Sequence, residues 1–315
     1  VEKILLGISS CLLGNPVRFD GGHKLDRFLT ETLGAYVTYL PVCPEVEAGF
    51  GVPRESMRLT GLADAPRLVT TRTGRDLTDA MAAWARRRVE ELAAEELCGF
   101  IFKSDSPSSG MERVRVYGPA GMPEKKGVGV FARAFMERFP LLPVEEEGRL
   151  HDPVLRENFI EAIFTLKRFR ESMASSPRGG ELVDFHTRHK LLIMSHAPAV
   201  YREMGRLVAG SGKAPREEVR RAYGALLLRA LRHKTTVRKH VDVLQHMAGH
   251  FKKILPPDER RELQELIEAY RREEVPLIVP VTLLNHQVRK HGVAWLAAQV
   301  YLNPHPLELR LRNHA

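Results

Sequence analysis

Ile4-Leu5-Leu6-Gly7-Ile8-Ser9-Ser10-Cys11-Leu12-Leu13-Gly14 opens the chain with an apolar run that breaks abruptly into a polar loop carrying a thiol. The pattern returns at Tyr36 to Leu40, which leads into Val42-Cys43-Pro44-Glu45, and at Phe100-Ile101-Phe102-Lys103, which leads into Ser104-Asp105-Ser106-Pro107-Ser108-Ser109-Gly110. Short apolar runs bounded by Gly, Pro and Ser read as buried strands. Strands are expected at residues 4–9, 36–42, 67–71 and 100–103, with helices at 23–33, 79–97 and 128–139. Thr78 is the expected cap of the second helix. Strands alternating with helices argue for an α/β layer on a parallel sheet. In such a sheet the strand exits share one edge, where ligands bind. Two thiols and a carboxylate are therefore expected to converge on one cleft.

From Asp152 the pattern becomes helical. Pro153 suits a first helical turn behind Asp152 as cap. Phe159, Ile160, Ile163, Phe164 and Leu166 follow a helical period. Further helices are expected at 182–194, 198–208, 216–255, 258–274 and 285–301, with Pro256-Pro257 as a break. The acidic stretch 143–150 is the expected linker. The fold class is an α/β domain with a parallel sheet, residues 1–148, followed by an all-α domain, residues 149–315.

Composition narrows the function classes. The chain has 315 residues, of which 43% are hydrophobic, so each half can bury a core. No apolar run is long enough to span a membrane, and the first residues carry no secretory signal. Three cysteines do not make a disulfide framework, and a reducing cytoplasm is the expected compartment. Charge is unevenly distributed. Residues 1–150 contain 20 Lys and Arg against 21 Asp and Glu, whereas residues 151–315 contain 28 against 18. A basic helical half behind a neutral one suggests a catalytic domain joined to one that holds a polyanion; a basic surface that only aids solubility is the other reading.

Cys11 and Cys43 each admit two readings: a small buried hydrophobe, or part of an iron–sulfur, metal or cysteine-based site. Glu45, stiffened by Pro44, is either a general acid or base or a partner of Arg54. The serine-rich loop after Phe102 can cradle an anion or orient a substrate. A plain cysteine-nucleophile hydrolase lacks support, because only His23 lies in this half.

These motifs (Ser9 to Gly14, Arg18-Phe19-Asp20-Gly21, Cys43-Pro44-Glu45 and Lys103 to Gly110) resemble the thiouracil and thiouridine desulfidase family. Asp184-Phe185-His186, Tyr201 and the tail Leu302 to Leu309 resemble the YbgA-like helical domain often fused behind it. The resemblance implies removal of sulfur from thiolated uridine, in tRNA or as a nucleotide, without net redox chemistry. It implies a [4Fe–4S] cluster held by three cysteines, with one iron left open for the thiocarbonyl sulfur. Cys11 and Cys43 match two ligand positions. The third is Ser109, where the family usually reads Ser-Pro-Ser-Cys-Gly. Glu45 and Ser106 match residues for acid–base work and substrate orientation. Ser10, Arg18, Lys103 and Ser108 are the expected substrate contacts. Cys98 precedes its strand and is expected to be a core thiol at the opposite sheet edge. An alternative is an RNA-binding accessory protein that keeps the fold without a cluster.

In the helical half, Lys234, Arg238, Lys239 and His240 lie in a run suited to phosphate contacts along RNA, or to a solvated basic face. Asp242, His246 and His250, spaced four apart, share a helix face and form a weaker metal candidate.

Overall fold

A computed structural model describes residues 3–118, 121–174 and 180–313. The chain divides into two compact units, Val1–His151 and Asp152–Ala315.

Among the described residues the first unit holds eight strands: β1 (Ile4–Ser9), β2 (Val37–Val42), β3 (Met57–Leu62), β4 (Ala65–Thr70), β5 (Gly99–Phe102), β6 (Val114–Tyr117), β7 (Pro123–Gly127) and β8 (Val144–Glu146). Four of them form a parallel sheet in the order β2-β1-β5-β8. All four residues of β5 are buried, as are Leu6 and Ile8 of β1, the signature of strands covered on both faces. Among the described residues it also has three α-helices, α1 (Pro44–Glu47), α2 (Thr78–Ala93) and α3 (Val130–Arg138), besides short helical turns. On one face Phe100 and Phe102 meet Phe131 and Phe135 of α3, with ring centroids 4.8–6.2 Å apart. Trp84 of α2 joins the same cluster. Such offset and edge-on pairs add to the stabilisation from area burial alone.

Several expectations are corrected. The strand expected at 67–71 is β4, but it lies outside the parallel sheet. It pairs antiparallel with β3 in a second, mixed sheet of order β4-β3-β6-β7. The expected linker 143–150 instead contributes β8, paired in register Phe100↔Val144 to Phe102↔Glu146. Its acidic composition hid a strand whose glutamates are compensated. Arg149 donates to Glu145 at 2.6 Å, and Glu146 accepts from the Met111 amide at 2.8 Å. The helix expected at 23–33 is reduced to a short wide turn at Phe28–Thr32. The preceding backbone is spent elsewhere: the amides of Lys24 and Asp26 donate to the carbonyls of Cys11 and Leu12. Thr78 is not the cap of α2 but its first residue: Leu77 holds the cap position, and Asp76 just before it accepts from the Thr78 amide at 2.9 Å.

The second unit is helical: α4 (Pro153–Ala174), α5 (Glu181–His196), α6 (Pro198–Ala209), α7 (Arg216–Leu231), α8 (Val237–Gly249), α9 (Pro257–Arg271), α10 (Ile278–His291) and α11 (Ala294–Ala297). Asp152 caps α4 as expected, accepting from the Val154 and Leu155 amides at 2.9 and 3.0 Å. α5 shares in two cores, one built with α4, α6 and α7, the other with α8, α9 and α10. The helix expected over 216–255 is broken into α7 and α8. The Thr236 hydroxyl caps α8, and the intervening chain is pinned to α4 and α5 through Asn158–Thr235 and His196–His233. The helix expected over 285–301 starts earlier, at Ile278, and is closed by Gly292 in the left-handed region. Among the described residues, no helix is long and apolar enough to cross a membrane.

Candidate active site

At the carboxyl ends of β1, β2 and β5 lies a cavity of about 470 Å³, within the usual size range of small-molecule sites. Cys11, Cys43, Glu45, Ser106 and Ser109 all line it. Three separate loops bring them there. Cys11 sits in the turn Ser10–Leu13 directly behind β1, closed by Gly14 at φ 88, a conformation that glycine adopts without steric cost. Cys43 stands at the head of α1, where Pro44 starts the helix. Ser106 to Ser109 follow β5 in a loop locked to the start of α3. The Ser108 carbonyl accepts from the Phe131 and Ala132 amides. A Cβ on Gly129 would come within 2.5 Å of that carbonyl, so this approach requires glycine.

The two thiols are weakly held. Cys43 Sγ lies 3.8 Å from the Val17 carbonyl and 3.6 Å from Glu45 Oε2. Burial pushes the Cys11 thiol up to about 11; nearby Lys103 pulls against that and Glu45 adds to it. Burial and then Glu45 push Cys43 up to about 12. Both are thus protonated at neutral pH unless a metal draws the proton off, as coordination does. Among the described residues no histidine lines the cavity, so neither thiol has there the imidazole partner that a cysteine nucleophile uses.

Glu45 is held at both oxygens. Oε1 accepts from Ser108 Oγ at 2.6 Å, and Oε2 lies 3.7 Å from Arg54 Nη2. Ser108 Oγ is also 3.0 Å from Ser106 Oγ, and Ser106 Oγ accepts from the Ser109 amide at 3.1 Å. Ser108 was expected to touch substrate, and that is corrected here. Its side chain is fully buried and absent from the cavity wall. Its hydroxyl bridges Ser106 and Glu45 instead. Ser10, Arg18 and Lys103 do line the cavity. Ser10 Oγ accepts from Asn15 Nδ2 at 2.8 Å. Arg18 lies 3.6 Å from Asp20 and stacks over Phe19. Lys103 Nζ pairs with Glu147 and donates to Ser104 Oγ at 3.0 Å. The partnership with Glu147 was missed in the sequence, because residues 143–150 read as a linker. Cys98 is buried at the entry of β5, its amide bonded to Leu5, at the far end of the strand from the cavity.

In the helical unit, Lys234 and Arg238 are exposed. Lys239 is turned inward, donating to the carbonyls of His196 and Lys234 at 2.7 and 2.6 Å. His240 is buried and bonded to the Tyr301 hydroxyl at 2.9 Å. Both are corrected from phosphate contacts to structural groups. Asp242, His246 and His250 are all exposed, and the two imidazoles pack near Trp295. A cavity of about 380 Å³ is lined by Lys252, Arg260 and Arg261 among others. Deep in the unit, Arg312 donates to Glu157 at 3.0 Å and to Glu161 at 2.8 Å, and Glu161 also faces His196 at 3.0 Å.

The profile of the 2-thiouracil desulfurase family matches residues 6–147. That of DUF1722, a family of proteins of unknown function, matches residues 190–306. YbgA of Escherichia coli (strain K12), an uncharacterized protein, is 31% identical over 152 residues, 48% of this chain and 90% of YbgA. Through its helical half the chain belongs to the family of YbgA, and its first half matches the 2-thiouracil desulfurase model. YbbK of Bacillus subtilis (strain 168), also uncharacterized, is 26% identical over 108 residues, 33% of this chain and 71% of YbbK. The solved structure of TudS, a [4Fe–4S]-dependent thiouracil desulfidase, is 31% identical, covering 48% of this chain and 95% of TudS with a TM-score of 0.38.

Proposed function

We propose that this chain hydrolyses the thiocarbonyl of a thiolated uridine, in tRNA or as a nucleotide, to uridine and hydrogen sulfide, with a [4Fe–4S] cluster as cofactor. The carrying observation is that Cys11, Cys43, Glu45, Ser106 and Ser109 line one cavity. The donor chemistry fits the cofactor: thiolates are the ligands of iron–sulfur clusters, and two thiols without a disulfide face the same space as the Ser109 loop. Cys11 and Cys43 would hold the cluster as thiolates, with Ser109 as an oxygen donor. When bound, the iron supplies a thiophilic Lewis acid that polarises the C–S bond.

The remaining work falls to the chain. Glu45 takes a proton from the water that replaces sulfur, and the departing sulfide is protonated, so the reaction is redox-neutral. Ser106, within 3.0 Å of the Ser108 hydroxyl bonded to Glu45, orients the pyrimidine. Arg18 and Lys103 give the cavity positive charge for an anionic substrate. In the helical unit, exposed Lys234 and Arg238, with Lys252, Arg260 and Arg261 around their own cavity, support phosphate contacts with RNA.

Anaerobic reconstitution with iron and sulfide, followed by absorbance and iron counting, tests this reading. Fewer than about two irons per chain would exclude a Cys-held cluster of this kind. Ser109 favours the second reading, an RNA-binding accessory protein without a working cluster. Ser109→Cys separates the two. A cluster and turnover that appear only in the variant support the accessory reading, and turnover by the parent removes it.

A further inference from the structure

Glu45 is gripped at both carboxylate oxygens, by Ser108 from the loop behind β5 and by Arg54 from the far end of its own β2–β3 connection, and both partners are themselves fixed. Ser108 Oγ donates to Oε1 at 2.6 Å. Ser108 itself is fixed, since its carbonyl takes two amides from the head of α3 and the close approach of Gly129 leaves it no room to shift. Arg54 Nη2 faces Oε2 at 3.7 Å. Arg54 is fixed in turn: Nη1 donates to the Val17 carbonyl at 3.0 Å and to the Gly51 carbonyl at 2.9 Å, and its amide donates to Phe19 at 2.9 Å. Its side chain is 9% exposed. The same guanidinium thereby ties the loop behind Cys11 to the loop that carries Glu45.

From this geometry we infer that Ser108 and Arg54 are positioning residues for Glu45, set from opposite sides so that its carboxylate keeps one orientation toward the cavity while the thiols change partners. Cys43 Sγ touches the same Glu45 oxygen and the same Val17 carbonyl that Arg54 does. A thiol committed to a metal gives up both contacts, and Arg54 remains to satisfy them. Ser108 has a second effect: by contacting Ser106 Oγ at 3.0 Å it couples the orientation of Ser106 to that of Glu45. Preorganisation of this kind matters because a displacement of about 1 Å at a reacting group can cost on the order of 10²-fold in rate.

The inference rests on the proposed role of Glu45, so its test carries one arm that needs no turnover. Ser108→Ala removes one hydroxyl and little volume, and Arg54→Lys keeps the charge but loses the two-pronged donor geometry. In crystal structures of the variants without cofactor, the Glu45 carboxylate should leave its single position and occupy more than one rotamer. In reconstituted protein, kcat should fall about 10- to 100-fold with KM changed less than about 3-fold, iron content and Tm should match the parent, and Ser108→Thr should recover most of the rate. If Ser108→Thr does not fold, Ser108→Ala and Arg54→Lys carry the test. Glu45 in its original position in both variants, or kcat unchanged in both, overturns the inference. Absence of turnover in the parent would instead count against the desulfidase reading, and the crystallographic arm would still decide the positioning one.

Discussion

The cavity of the α/β unit and the buried charge cluster of the helical unit are built from similar groups and serve opposite ends. In the cavity, Glu45 is contacted by Ser108, Arg54 and a thiol, its neighbours come from two loops, and space is left for a ligand. In the helical unit, Glu157 and Glu161 are four residues apart on α4, so they project from one face. Arg312 pairs with both within the core, His196 Nε2 lies 3.0 Å from Glu161, and the Glu161 side chain is 1% exposed. Ionisable groups on strand-exit loops face a cleft, whereas the same groups inside a helix bundle must be paired to be tolerated. The first arrangement is available for chemistry, and the second ties the C-terminal segment to α4.

The sharpest way to break the comparison is to remove the compensating charge in the bundle. Arg312→Leu leaves two buried carboxylates facing each other and should destabilise the helical unit by about 3–5 kcal/mol. Denaturant unfolding, with hydrogen exchange localised to α4, reads this, and a loss below about 1 kcal/mol would mean the cluster is not structural. The counterpart in the cavity is Glu45→Gln. Turnover should drop about 10²- to 10⁴-fold while cluster absorbance and unfolding midpoint stay with the parent. Activity retained in that variant would take Glu45 out of the mechanism.

Acid should distinguish the two regions next. Burial, and then Arg168, hold the His189 imidazole down at about 3, and burial holds His305 down at about 4. Below the ordinary histidine range the unfolded chain binds protons that the folded one refuses. Stability of the helical unit is therefore fully present above about pH 6.5 and is lost as pH falls toward those values, by up to about 1.4 kcal/mol per pH unit for each such histidine. Hydrogen exchange at pH 7 and pH 5 should show α5 protection falling more than β1 and β5 protection; equal losses would remove the histidines as the cause. The smallest effect concerns the surface. Lys234→Ala with Arg238→Ala should lower the slope of log affinity for tRNA against log salt by up to about 0.7–0.9 per lost contact. An unchanged slope would mean that Lys234 and Arg238 form a solvated face and make no phosphate contact.

The strands that build the site were legible because each is an apolar run ending in Ser, Pro or Gly, a signal that survives without knowing its neighbours. β3, β6 and β7 were not, since Met57-Arg58-Leu59-Thr60 and Val114-Arg115-Val116-Tyr117 alternate over only a few residues with arginine inside the run, and Pro123-Glu124-Lys125-Lys126 carries no apolar pattern. β8 was hidden behind Glu145 and Glu146, whose charges are answered by Arg149 and the Met111 amide from elsewhere in the chain. The gap between α7 and α8 was missed for a related reason: Thr235 and Thr236 sit in a helix-compatible stretch, and bonds from Asn158 and His196 hold the chain there while Thr236 caps the next helix.

By itself the sequence determined the strands that build the site, the division into an α/β half and a basic helical half, and the set of chemically able residues at the strand exits. These follow from local periodicity and turn chemistry, which act over a few residues. Tertiary structure alone decided which of those residues face the cavity. It turned Ser108 away from the wall to hold Glu45, set Arg54 against the same carboxylate, and drew Lys239 and His240 inward to carbonyl and hydroxyl partners. Orientation of a polar side chain depends on which distant groups need a partner once burial removes water, and that demand is written in no single stretch of the chain.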